Sequence, residues 1–146
     1  MHNERIEDLA TAGGHTVEVR FDLTDQQLRA VAHAAEAINV ERFRGRELTA
    51  DDVLRMRELT AVSDAAVERA QDGYAGGTLV MSVARLGLTV DALTEWLRRR
   101  DELGFLRRQE GVDRPVVEGM LWDLADLHLR ALQVAVGAQA RAGTAT

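Results

Sequence analysis

Proline occurs only once in this chain, at Pro115, so the backbone can form long helices without interruption. Hydrophobic residues make up 46% of the 146 residues, which is enough for the core of one compact domain. Apolar and charged side chains alternate over residues 16–23, a period typical of a half-buried strand. Most of the remaining apolar residues recur at helical spacing. We therefore predict a mainly α chain with a short N-terminal strand.

The expected domain organisation is simple. Residues 1–15 are charged and contain the pair Gly13-Gly14, which predicts a flexible N-terminal arm. Residues 16–140 form a single helical domain, in which Thr24 and Thr49 are N-caps of the first two helices. Residues 141–146 are expected to be a disordered tail.

Composition excludes several kinds of chemistry. Cysteine and lysine are both absent, which excludes disulfides, thiolate zinc sites, Schiff-base chemistry and the lysine-containing phosphate loop. The four histidines have none of the spacings of metal-binding motifs. We therefore expect a protein that is not an enzyme and has no catalytic residues, metal or cofactor. The charged N-terminus and the lack of a long apolar run predict a cytoplasmic chain with no membrane partner.

One segment, residues 78–118, supports a more specific prediction. A short helix ends at Leu86-Gly87, Thr89 caps a second helix that ends at Leu103-Gly104, and residues 105–118 resemble two short strands around a tip. This spacing resembles the winged helix-turn-helix of bacterial transcription regulators of the MarR, PadR and IclR classes. An ordinary hairpin of two helices is the alternative for the same pattern.

The resemblance implies a DNA-binding transcriptional regulator that acts as a homodimer. Helix 89–103 would enter the major groove of duplex DNA, and the wing at 105–118 would contact the backbone. Residues 98–114 contain six arginines and four acids in a chain whose net charge is −6, so this segment reverses the overall sign. The DNA-binding residues that the resemblance implies are Thr89, Thr94, Arg98, Arg99, Arg107, Arg108 and Arg114.

The last helix, predicted over residues 119–140, has apolar positions on more than one face. Such a helix is buried on two sides, one against its own domain and the other against a second copy. A central core helix in a monomer is the alternative. The side chains that we expect at the dimer interface are Met120, Leu121, Leu124, Leu127 and Leu132.

A second function is consistent with the same residues. Asp91 and Glu95 lie in the proposed reading helix, where phosphates would repel them, and the whole chain is acidic. These charges favour a non-catalytic helical module, or adaptor, that binds a protein partner and does not bind DNA.

Overall fold

A computed structural model describes residues 2–43, 45, 47–71, 76–99 and 114–144. This part of the chain forms three strands and four helices, which are β1 (His2–Thr11), β2 (Gly14–Leu23), α1 (Asp25–Phe43), α2 (Ala50–Gln71), β3 (Gly77–Ser82), α3 (Val83–Arg99) and α4 (Arg114–Thr144). None of the described helices is both long enough and apolar enough to cross a membrane.

The sheet has β2 at its centre, with antiparallel neighbours β1 and β3. Val19 of β2 lies opposite Ile6 of β1 and Met81 of β3, and Phe21 lies opposite Leu79. Because successive side chains point to opposite faces, this register gathers the apolar residues on one face. Val19 and Phe21 are fully buried there.

The strand predicted at residues 16–23 is confirmed as β2. Residues 2–11, which we expected to be a flexible arm, instead form the edge strand β1. Among the β1 side chains that the structure describes, Ile6 packs against the core cluster, and the backbone of the strand pairs with β2.

Both predicted helix starts are confirmed by reciprocal capping bonds. The backbone N–H of Gln27 donates to Thr24 Oγ1 at 3.1 Å, and the backbone N–H of Thr24 donates to Gln27 Oε1 at 2.9 Å. Asp52 and Thr49 make the same exchange at 3.1 Å in both directions. Each exchange satisfies two backbone groups that have no partner within a helix.

The predicted fold, a mainly α winged helix-turn-helix with one short N-terminal strand, is wrong, because the described residues combine four helices with a three-stranded antiparallel sheet. Residues 77–82 form strand β3, and α3 continues through Gly87, where the sequence predicted the turn between two helices. The helix is continuous because a single buried stripe passes from one side of Gly87 to the other. Its members are Leu86, Thr89, Ala92, Leu93 and Trp96.

The predicted wing does not form at its second strand. Residues 115–118, expected to be that strand, belong to the first turns of α4. Pro115 is the second residue of the helix, where proline is tolerated because its missing N–H has no intrahelical acceptor there. Residues 105–113 lie outside the described part of the chain.

The last helix is also longer than predicted, because α4 has 31 residues and includes residues 141–144 of the expected tail.

Candidate interaction site

The proposed DNA-binding residues of α3 do not form an exposed basic surface. Thr89 is only 2% exposed, and its hydroxyl donates to the backbone carbonyl of Arg85 at 2.9 Å. Thr94 is exposed, but its hydroxyl donates to the carbonyl of Val90 at 2.8 Å. Both hydroxyls therefore bond to the preceding turn of their own helix.

The arginines at the end of α3 are paired with carboxylates. Arg98 Nη2 donates to both oxygens of Glu95, at 2.6 and 2.7 Å. Arg99 lies 3.5 Å from Glu41 and 3.9 Å from Glu95. These exposed and half-exposed pairs contribute little to stability, but they balance the local positive charge.

The remaining predicted DNA contacts lie at or before the start of α4. Arg114 Nε donates to Glu118 Oε1 at 2.6 Å, one helical turn away. Arg107 and Arg108 lie outside the described residues. Each described arginine of the predicted set thus has an acidic partner, which leaves less charge for phosphate contacts.

Helix α4 crosses α3 closely at Gly87. A Cβ built on Gly87 would lie 2.9 Å from Nε2 and 3.2 Å from Cε1 of His128. The imidazole therefore occupies the space that any larger residue at position 87 would need. This contact explains why a glycine is found inside the helix, and it fixes α4 against α3.

The β1–β2 hairpin holds the other side of α4 through ion pairs. Arg130 pairs with Glu4, and this hydrogen bond, together with that to Asp126, raises the pKa of Arg130. Arg141 Nη2 donates to Asp8 Oδ2 at 2.8 Å, and the other oxygen of Asp8 lies 3.0 Å from His15 Nδ1. These contacts lie at both ends of the second half of α4, so they fix its orientation on the sheet.

The apolar residues of α4 divide between two opposite faces. Three of the predicted dimer residues, Met120, Leu124 and Leu127, are at most 1% exposed in the core of the chain itself. Leu121 is partly buried against the same core. These four side chains hold α4 on its own domain, and of the predicted interface only Leu132 is clearly exposed, at 40%.

The opposite face of α4 is apolar and exposed. Trp122 is 79% exposed, Leu129 60%, Leu132 40% and Val136 65%. Ala125, which is half-buried, and Gln139, which is polar and also lines a cleft beside the turn between β1 and β2, complete a repeat with alternating steps of three and four residues, the spacing of a coiled-coil seam. We call these six residues the outer face of α4. The sequence analysis chose mainly residues of the inner face as the interface, because both apolar faces of α4 have the same spacing.

The described residues hold no group of three or more His, Asp or Glu side chains placed to bind a metal ion. One half-buried histidine has an altered acidity, because burial lowers the pKa of His33 below its usual value. Its ring lies edge-on to Trp96, with 6.3 Å between the centroids. This contact belongs to the packing between α1 and α3.

Comparison with known proteins gives no match: no protein-family model, no curated protein and no solved structure resembles this chain.

Proposed function

We propose that this chain is a non-catalytic protein–protein interaction module that binds an apolar helix on the outer face of α4. The observation that carries the proposal is the exposure of Trp122, Leu129, Leu132 and Val136 along one helix face. Isolated exposed apolar residues are common on protein surfaces, but a continuous stripe at coiled-coil spacing is typical of a helix-binding surface.

The free energy available on this surface is substantial. An aromatic side chain has about 150–250 Å² of surface, so Trp122, which is 79% exposed, leaves on the order of 150 Å² in contact with water. Burying that area contributes about 4 kcal/mol before the cost of association is subtracted. Tryptophan is also the residue type that most often dominates interface energies.

The surface is held in place before any partner arrives. The inner face of α4 is buried in the core, and Arg130 and Arg141 join the helix to the hairpin. A partner helix would therefore not have to order α4, and this lowers the cost of binding.

A labelled synthetic helix provides the test. The probe is a fluorescent peptide with leucine at the a and d positions of its heptads, kept dilute enough to remain monomeric. We expect its anisotropy to rise on titration with the full chain, and Trp122→Glu to abolish the rise. The matched control is Leu54→Glu on α2, where Leu54 is also 60% exposed but lies outside the stripe. No binding, or equal loss in both variants, would overturn the proposal.

The DNA binding predicted from the sequence is the second candidate function, and it has its own measurement. We expect the full chain not to bind a mixed-sequence duplex at moderate salt, because Arg98, Arg99 and Arg114 are each paired with acids. Anisotropy of a labelled duplex across salt concentrations measures this. Binding that weakens log-linearly with salt, and is lost in Arg98→Ala with Arg99→Ala, would favour the DNA-binding regulator instead.

A further inference from the structure

We infer that the helix bound by the outer face of α4 is the same helix of a second copy, and that the two helices run antiparallel. This inference rests on the proposed function, since it names the partner of the same surface. In heptad positions, Trp122, Leu129 and Val136 occupy a, and Ala125, Leu132 and Gln139 occupy d.

The sizes of these side chains favour the antiparallel orientation. Two antiparallel helices place each a residue opposite a d residue of the other copy, which gives the layers Trp122 with the partner's Gln139, Ala125 with the partner's Val136, and Leu129 with the partner's Leu132. Two parallel helices would instead stack Trp122 on Trp122 and Ala125 on Ala125. That arrangement puts an overfilled layer beside an underfilled one at this end of the seam, whereas antiparallel pairing keeps the layer volumes closer to one another.

The area available predicts a dimer of moderate affinity. The exposed apolar side chains of the outer face leave on the order of 400–500 Å² per copy, so two copies bury close to the ~1,000 Å² lower limit of specific interfaces. We therefore expect a dimer that forms in the micromolar range and exchanges subunits readily.

The absence of cysteine makes the orientation directly measurable. The design uses two single variants of the full chain, Ala125→Cys and Val136→Cys. In the antiparallel dimer positions 125 and 136 share a layer, within the Cα separation of about 7 Å that a disulfide tolerates. Identical positions are then displaced along the axis by about 16 Å, because positions 125 and 136 differ by eleven residues, each with a rise of about 1.5 Å.

We expect a mixture of the two variants to form a cross-linked dimer under mild oxidation, and each variant alone to form none. Cross-linking of each variant alone, but not between the two, would show a parallel dimer and overturn this inference while the proposed function stands.

Sedimentation velocity of the unmodified chain is the second measurement. If the chain stays monomeric to high concentration and still binds the leucine-containing peptide, the inference of a dimer is overturned, whereas the proposed function stands. We expect Trp122→Glu to weaken self-association on the order of a hundredfold or more, and Leu54→Glu to leave it unchanged.

Discussion

Replacing Gly87 with alanine tests two features of the structure together: the continuity of α3, and the contact of His128 with its backbone. Alanine is favoured over glycine in a helix interior by about 1 kcal/mol. In the folded chain, however, the new methyl group would lie 2.9 Å from His128 Nε2, and overpacking of this kind costs about 1–3 kcal/mol. The net effect of Gly87→Ala should therefore range from nearly neutral to a loss of about 2 kcal/mol.

The contribution of His128 is separated by a double-mutant cycle. In a His128→Ala background the space beside position 87 is open, so Gly87→Ala should stabilise the chain by about 1 kcal/mol. The two substitutions should thus be coupled by about 1–3 kcal/mol. Urea denaturation followed by far-UV circular dichroism gives all four free energies of unfolding.

Two results would refute this reasoning, each in a different way. If Gly87→Ala stabilises both backgrounds equally, His128 does not lie on the helix at Gly87. If it destabilises both backgrounds by a similar amount, position 87 has the positive φ of a turn, and α3 is not continuous.

Two further predictions concern a strained glycine, Gly76, and the half-buried His33. Gly76→Ala should lower the free energy of unfolding by about 1–3 kcal/mol, because Gly76 has a φ of 125° and a side chain there would collide with the carbonyl of Leu23. The control is Gly13→Ala in the same urea titration. Gly13 has open space around it, so this substitution should change the free energy of unfolding little. Because the pKa of His33 is lowered in the folded chain, the unfolded chain binds a proton on His33 more readily, so the free energy of unfolding should be full above about pH 6.5 and should fall as the pH drops below it. His33→Gln should remove that part of the pH dependence of the melting temperature. An identical slope in both proteins would contradict the assignment.

Local signals in the sequence predicted the elements whose causes are local. The strand at residues 16–23 follows from strict alternation, and the starts of α1 and α2 follow from the capping residues Thr24 and Thr49. The amphipathic last helix also followed from periodicity, with its ends displaced by a few residues. In each case one stretch of sequence contains the whole physical reason for the structure.

Elements that depend on distant partners could not be predicted in this way. Strand β3 is only six residues long, and its apolar run at residues 79–81 is too short to distinguish a strand from the short helix that the sequence predicted before Gly87. Gly87 suggested a turn because its reason for being glycine, the ring of His128, lies 41 positions later in the chain. Most residues of the proposed interaction surface were not predicted, for a similar reason. Two faces of α4 are apolar at heptad spacing, and only the packed domain determines which one is left exposed.

The ion pairs between the hairpin and α4 affect the order in which this chain can fold. Glu4 and Arg130 are separated by 126 positions, and Asp8 and Arg141 by 133, so these pairs close the longest loops in the described structure. On the ribosome, strand β1 is made well before its ionic partners on α4, so these pairs cannot form until α4 has been synthesised. Topologies rich in such distant contacts fold slowly. In a nascent chain the sheet therefore lacks the cover of α4 until that helix has been made, and during this interval its apolar face is open to a chaperone.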